Sequence, residues 1–293
     1  MIENFFQEKI KKIDTFLYQQ IKRVNTPDRL KESMLYSVQA GGKRIRPILV
    51  LATMESLNQD SESGLPIAGA IEMVHTYSLI HDDLPAMDDD DLRRGKPTNH
   101  KIFGEAMAVL AGDALLTLSF EIAAGMKDPK ISDHTRAKLV AGLAQAAGAE
   151  GMVGGQSADL EAEGCTLSLE ELEYIHLHKT GKMLGFSVEA GALLGGATPE
   201  QIEALGRFSR HLGLAFQIRD DILDIEGDSE TMWKSAGSDA NKQKSTYPQL
   251  LTLEGAKQKL SHHLELAKQS LYQSGVNCGR LEQITDYIVN RNH

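Results

Sequence analysis

The chain is short of the residues on which several classes of chemistry depend. Only two cysteines, Cys165 and Cys278, occur in 293 residues. They lack CxxC spacing and a matched histidine pair, so neither a zinc site nor a disulfide framework is indicated, and a reducing cytoplasm is the expected compartment. No apolar stretch reads as a bilayer span. The first residues, "MIENFFQEKIKKIDTFLYQQIKRV", carry acidic side chains throughout, which argues against a secretory or transit peptide and predicts an amphipathic first helix. Positive charge is also scarce: 31 Lys and Arg stand against 41 Asp and Glu, a formal net charge of −10. Nucleic-acid binding needs a basic stripe to displace counterions, so it is not expected. Anions could still be held, but only locally, by arginines or by bound cations. There is no G-x-G-x-x-G, and Gly42-Lys43 is followed by Arg44 where a P-loop needs Ser or Thr. Nor is there a Ser-His-Asp or Cys-His arrangement that would support nucleophilic catalysis.

What is present is helix. Hydrophobic residues at 41% and charged residues at 25% describe an ordinary soluble globular chain. "TPDRLKESMLYSVQA", "HTRAKLVAGLAQAAGAEGMVGGQSADL", "SLEELEYIHLHKTGKMLGFSVEAGALLGG" and "TPEQIEALGRFSRHLGLAFQIRDDILDI" are rich in Ala, Leu, Glu and Lys, with apolar residues three or four apart. Thr26-Pro27 and Thr198-Pro199 set an N-cap before a first-turn proline, and Ser168 with Glu171 forms a capping box. Loops are expected near 58 to 66, 126 to 132, 163 to 167, 195 to 198 and 226 to 247. No linker or repeat separates two halves. The expectation is a single all-α domain over residues 1–293, a helical bundle of ten or more helices built by ordinary helix-packing rules.

Against that background, "HDDLPAMDDDDLRRG" is anomalous, with six aspartates between Asp82 and Asp91. Carboxylates so spaced repel one another. The helical pattern ahead of them runs into Pro85, so Asp82 and Asp83 fall in a last helical turn, where the carbonyl end of the helix already carries partial negative charge. A divalent cation would reverse the sign of that problem. A solvated acidic loop is the alternative. An EF-hand does not fit, because counting from Asp88 puts Arg93 and Asn99 where glycine and glutamate are required.

A second cluster strengthens the cation reading. In "LGLAFQIRDDILDIEGD", Gln217, Asp220, Asp221 and Asp224 form a polar stripe, while Leu214, Phe216, Ile218, Ile222, Leu223 and Ile225 form the apolar face. Carboxylates on so apolar a helix need partners. Two such clusters suit several Mg²⁺ ions, which keep waters and take further oxygens from phosphates. Basic residues cluster as well: Lys43, Arg44 and Arg46 in "AGGKRIRP", Arg93 and Arg94 in "LRRGKP", Lys179 and Lys182 in "HKTGK". Arginine suits two-point phosphate recognition, and lysine supplies a compact charge.

Taken in order, "GGKRIRP", "DDLPAMD", "RRGKPTNH", "AGDALL", "GMVGGQSADL", "HKTGKM", "FQIRDDILD" and "KSTYP" resemble the trans-type isoprenyl diphosphate synthases, most closely the bacterial farnesyl diphosphate synthases. The resemblance covers nearly the whole chain. It implies an all-α bundle around a deep central cavity, usually a homodimer. Asp82 and Asp88, with Asp83 alongside, would bind two Mg²⁺ ions bridging an allylic diphosphate, and Asp220, supported by Asp221 and Asp224, a third; Mn²⁺ is an alternative metal. Arg93, Lys179 and Lys234 would grip the same diphosphate. Lys43, Arg46, His75 and Arg94 would form the pocket for isopentenyl diphosphate. Backbone carbonyls near Lys179-Thr180 and the amide oxygen of Gln217 would stabilise the allylic cation, and the departing diphosphate would take the proton, with no protein base.

Chain length is then a steric matter. Tyr77 lies five residues before Asp82, about 7.5 Å down the helix axis. In the resemblance a bulky residue there goes with a C15 product and a smaller one with longer chains; Ser78 is small, so Tyr77 would act alone. A C20 synthase is the close rival, followed by a terpene cyclase or a non-catalytic subunit on the same scaffold. "GMVGGQSADL" reads as close helix packing through glycine rather than as a catalytic element. Trp233 stands where the family usually has glycine, next to Lys234, and Arg291 near the C-terminus could close over the second diphosphate.

Overall fold

The computed structural model describes residues 2–226 and 245–290. Among these the chain is all-α apart from one two-stranded hairpin: α1 Ile2–Arg23, α2 Asp28–Val38, α3 Ile45–Ser56, a 3₁₀ turn Ser61–Gly64, α4 Leu65–Asp82, β1 Leu92–Arg93, β2 Lys96–Pro97, α5 Asn99–Phe103, α6 Glu105–Ala124, α7 Asp133–Ala147, α8 Met152–Glu161, α9 Leu169–His176, a π-turn Leu177–Gly181, α10 Lys182–Leu194, α11 Pro199–Glu226, α12 Tyr247–Gln273 and α13 Gly279–Val289. Trp233, Lys234, Arg291 and most of the expected 226 to 247 loop lie outside the described residues.

Local chemistry sets most boundaries. Ser168 and Glu171 form the expected reciprocal capping box at α9. Thr198 and Gln201 do the same at α11, with N–H to side-chain distances of 3.0 and 3.3 Å. At α2 the start shifts by one residue, because Pro27 itself is the extended N-cap. The pattern read as one helical stretch from His134 to Leu160 is broken into α7 and α8. Gly151 there adopts φ −132° and ψ −129°, and a Cβ on it would stand 2.1 Å from the Ala146 carbonyl oxygen.

The chain divides into two compact units, Met1–Leu51 with Asp60–Val140, and Ala52–Gln59 with Ala141–His293. In the first, α4 packs on α1 and α6. Glycine allows both approaches: a Cβ at Gly69 would lie 2.6 Å from the Phe16 ring, and one at Gly112 would lie 2.1 Å from His81 Nε2. Among the described residues α6 alone is long and apolar enough to cross a membrane. Its Ala108, Ala111, Gly112, Leu115 and Leu118 are buried, while Val109 and Leu110 are exposed.

In the second unit α11 lies along α12. Leu172, Ala215, Ile218, Ile222, Tyr247, Ala256, Leu260 and Val289 form the core between them. A fully buried isoleucine such as Ile218 or Ile222 stabilises by about 1.5–3 kcal/mol. Ile225, read from the sequence as part of this face, is instead 53% exposed, in the last turn of α11.

The same helix pair buries polar groups. His211 Nδ1 and His263 Nδ1 stand 3.1 Å apart, so one ring donates and the other accepts, which requires at least one to be neutral. Burial, followed by His211, pushes His263 down from 6.5 to about 4. The unfolded chain therefore binds a proton that the folded chain refuses between those two values. His263 contributes full stability above about pH 6.5 and loses it towards pH 4, on the order of 2–3 kcal/mol. Urea midpoints measured from pH 7 to 4 should fall, and His263→Leu should fall less steeply over that interval; an identical slope would remove His263 as a cause.

Candidate active site

The acidic end of α4 is shaped by its termination. Asp82 is the last helical residue and Asp83 the C-cap. Past Pro85 the chain folds back, Met87 N–H bonding to Leu84 O at 2.9 Å and Asp88 N–H to Asp82 O at 2.8 Å. The backbone of Asp88 is thereby closed onto that of Asp82, and both residues are half-buried. Asp83 is different. It is 3% exposed and takes Arg93 at three distances, 2.8 and 2.9 Å from Nε and 2.5 Å from Nη2. Burial opposes the Arg93 charge, but Asp83, with Asp90 and Asp82, more than offsets this and raises its pKa. Of the three aspartates expected to hold metal here, Asp83 is the one that pairs with Arg93.

Arg93 and Arg94 sit on the hairpin, with Arg93 opposite Lys96. The connecting Arg94 and Gly95 have φ 54° and 74°, the left-handed pair that two-residue hairpin turns require. The following Thr98-Asn99 fastens the hairpin down. Thr98 Oγ1 donates to Asp90 O at 2.8 Å, and Asn99 Nδ2 donates to Ser33 O and Ser37 Oγ at 3.0 and 2.8 Å. Arg94 in turn donates to the Gly41 carbonyl. Gly42 has φ 128°, and any Cβ on it would be 2.7 Å from the Arg94 guanidinium.

Gly41 and Gly42 open the "GGKRIRP" loop, and its arginines divide by role. Arg44 is buried and donates to Asp14 at 2.9 Å, Glu72 at 2.7 Å and Val38 O at 2.6 Å. It is a scaffold cation. His75 is held well below the usual imidazole range, first by burial and then by Arg46, Arg94, Arg93 and Arg44. Four guanidiniums act on one neutral ring, a field that favours an anion. Lys43 belongs to the same loop.

Tyr77 is 7% exposed, edge-on to His81 with ring centroids 5.7 Å apart. Burial and Asp82 both raise its phenol pKa. His81 is held in turn by Val109 O at 3.1 Å. Ser78 Oγ donates to His75 O at 2.9 Å.

In the second unit Lys179 and Thr180 lie on the π-turn, a form of helix frequent at functional sites. Lys179 Nζ is 2.7 Å from Asp159 Oδ2, and Thr180 is buried. On α11, Asp221 Oδ2 accepts from Tyr247 N–H at 2.9 Å. Asp221 therefore anchors the start of α12, while Asp220 and Asp224, one turn apart, are half-buried. Gln217 Nε2 stands 3.5 Å from His176 Nδ1.

No group of three His, Cys, Asp or Glu side chains among the described residues is gathered closely enough to hold a metal ion alone. In the two expected clusters Asp83 is paired with Arg93 and Asp221 with the Tyr247 N–H, which sets Asp82 with Asp88 and Asp220 with Asp224. These are hard oxygen donors in twos, which fits Mg²⁺ completed by water and phosphate oxygens rather than a closed protein cage.

The family model described as polyprenyl synthetase matches residues 27–283. The chain belongs to this family. It is 56% identical over 292 residues to the farnesyl diphosphate synthase of Geobacillus stearothermophilus, covering 100% of this chain and 98% of that one. Against the farnesyl diphosphate synthase of Bacillus subtilis (strain 168) the figures are 53%, 100% and 99%. Among solved structures, an FPP/GFPP synthase from Zymomonas mobilis superposes with TM-score 0.85 at 38% identity, covering 98% of each chain.

In this polyprenyl synthetase, "GMVGGQSADL" does more than the packing read from its glycines. The packing holds: a Cβ at Gly155 would stand 2.1 Å from the Lys179 backbone nitrogen. One turn on, however, Asp159 is the counter-ion of Lys179. Gln156, beside them, has both amide atoms buried without a hydrogen bond. A lone Asp and Gln on a glycine-rich helix gave no sequence signal, although the offset of four from Gly155 puts Asp159 on the same helical face. Gly155→Ala should displace the π-turn and lower stability by about 1–3 kcal/mol, as overpacking against backbone does. Gly206→Ala, where a Cβ meets nothing within 4 Å, should be neutral or stabilising by about 0.5–1 kcal/mol. Equal melting temperatures for the two variants would contradict the packing assignment.

Proposed function

We propose that the chain is a farnesyl diphosphate synthase, a prenyltransferase joining isopentenyl diphosphate head-to-tail to dimethylallyl and then geranyl diphosphate. The observation that carries this is the Asp83–Arg93 lock, which sets an arginine crowd around neutral His75 next to the turn that carries Asp82 and Asp88. The relatives' names support the same substrates. The family match runs through both compact units, in keeping with one synthase domain over residues 1–293.

On this reading Asp82 and Asp88, and Asp220 with Asp224, hold Mg²⁺, three ions per site with Mn²⁺ as a possible replacement. When bound, the metal supplies Lewis-acid neutralisation of the departing diphosphate. Arg93 and Lys179 add fixed positive charge to the same leaving group, with Lys234 assigned alongside them. Because ionisation moves negative charge onto that group, donors set in advance lower the barrier without reorganising. Lys43, Arg46 and Arg94 receive isopentenyl diphosphate. His75, being neutral, contributes a hydrogen bond rather than charge. Carbonyls of the π-turn at Lys179-Thr180 and the Gln217 oxygen face the electron-poor allylic carbon. Isopentenyl diphosphate attacks through its double bond, and a diphosphate oxygen takes the proton, so no protein base is used. Tyr77, without help from Ser78, limits the tail to C15. Exposed Val109 and Leu110 on α6, with Ile102 on α5, are the proposed homodimer face, and two free cysteines suit a cytoplasmic enzyme.

Purified protein with Mg²⁺, dimethylallyl and isopentenyl diphosphates should yield mainly C15 product by mass spectrometry, and Tyr77→Ala should lengthen it. A C20 majority from the wild type would end the Tyr77 assignment. Separately, Asp82→Ala and Asp220→Ala should each lower kcat by about a hundredfold or more, with circular dichroism unchanged. Near-normal turnover in either would reject the metal assignment.

A further inference from the structure

His176 ends α9, one residue before the π-turn that carries Lys179 and Thr180. Its ring lies nearly parallel to Tyr247, with centroids 5.6 Å apart and 13° between planes. Nδ1 stands 3.5 Å from Gln217 Nε2, and Nε2 stands 3.7 Å from Asp221 Oδ2. These contacts agree on one tautomer. The proton belongs on Nε2, facing a carboxylate, and the lone pair on Nδ1, facing an amide NH₂. Asp221 is itself fixed by Tyr247 N–H at 2.9 Å, so the ring is stacked on Tyr247, hydrogen-bonded towards Gln217 and faces a fixed carboxylate without bonding to it.

We infer that His176 is a positioning residue that sets which way the Gln217 amide faces. The inference rests on the role proposed above for Gln217. An amide fits its site in two orientations that differ by exchange of O and NH₂. With the oxygen towards His176, its lone pairs would meet that of Nδ1 and repel. With NH₂ towards His176, a donor meets an acceptor and the oxygen is turned away from α9. A carbonyl dipole stabilises a carbocation only when the oxygen is the end presented, so a residue that selects the orientation selects the useful dipole. Packing alone does not account for an imidazole here. Nε2 is buried without a hydrogen bond, a cost that a phenylalanine stacked on Tyr247 would avoid. The polar ring is explained by what Nδ1 does for Gln217.

The test uses the full-length protein with Mg²⁺, dimethylallyl diphosphate and isopentenyl diphosphate. It reads isopentenyl diphosphate consumption whatever the product length. His176→Phe keeps the stack and removes both nitrogens; its kcat should fall about tenfold while the KM for isopentenyl diphosphate moves less than about twofold. His176→Asn, whose amide oxygen reaches the Nδ1 position, should recover kcat to within about threefold of wild type, whereas His176→Gln, which reaches the Nε2 position, should not. In a Gln217→Leu background, His176→Phe should change kcat by less than about twofold. Should His176→Phe fail to fold by circular dichroism, the Asn and Gln variants decide the matter. Wild-type kcat in His176→Phe, Gln equal to Asn, or an undiminished tenfold loss in the Gln217→Leu background would each overturn the inference. A wild type that consumes no isopentenyl diphosphate overturns the functional reading and this with it, so the two failures are distinguishable.

Discussion

A charge taken out of water must be met by another charge or by hydrogen bonds, and that requirement sorts the charged residues of this chain into two sets. Asp83 is met by Arg93, Arg44 by Glu72 and Asp14, Lys179 by Asp159, and Asp221 by the Tyr247 amide. In the cases of Asp83, Arg44 and Asp221 one member of a charged motif builds the frame on which its neighbours stand, and Asp159 does the same for Lys179 from another helix. Asp83 turns inward so that the turn carrying Asp82 and Asp88 is tied to the hairpin that carries Arg94. Arg44 turns inward so that the loop carrying Lys43 and Arg46 is tied to α1 and α4.

Part of the backbone irregularity falls at the same places, while Asn58 and Thr252, with φ 57° and 67°, lie away from them. Arg44 and Arg94 adopt positive φ, 50° and 54°, a conformation that costs a residue with a Cβ about 1–2 kcal/mol. The π-turn interrupts an otherwise continuous helical run from Leu169 to Leu194. Arg44, Arg94 and the π-turn each fall in a segment that also carries charge expected at the substrate. Such coincidence is what a functional site predicts, because local rules are broken where geometry matters more than stability.

The all-α class, the capping box at α9, the Thr198 N-cap at α11 and the end of α4 before Pro85 were legible, because each depends on residues within one turn of one another. The bending of the chain between α7 and α8 was not, since alanine on either side kept the helical pattern while glycine backbone freedom decided the break. Nor could spacing tell that Asp83 would pair with Arg93 and Asp221 with the Tyr247 N–H. Adjacent aspartates look alike in sequence, and only the partner delivered by a distant segment, Arg93 or Tyr247, distinguishes inner from outer. Asp159 and His176 were missed for a related reason. Each is an unremarkable polar residue on a helix, and its meaning lies in a contact made 20 or 41 positions away.

On the proposed reading, Asp83 and Asp221 serve the scaffold, and that changes what the remaining carboxylates can do. Asp82 with Asp88, and Asp220 with Asp224, offer Mg²⁺ two carboxylates each, fewer than octahedral coordination needs, and Mg²⁺ gives up water reluctantly. Affinity for the metal alone should then be modest and should rise when a diphosphate supplies further oxygens. On that reading, Asp82 with Asp88 and Asp220 with Asp224 would hold Mg²⁺ against the same diphosphate oxygens on which charge grows as the allylic bond breaks, where its Lewis acidity would be most useful. A closed cage of three or more protein carboxylates would bind the ion in every state alike and would gain nothing at the transition state. On the proposed reading, committing one aspartate of each cluster to the scaffold therefore both positions the outer carboxylates and leaves the coordination open that the reaction needs.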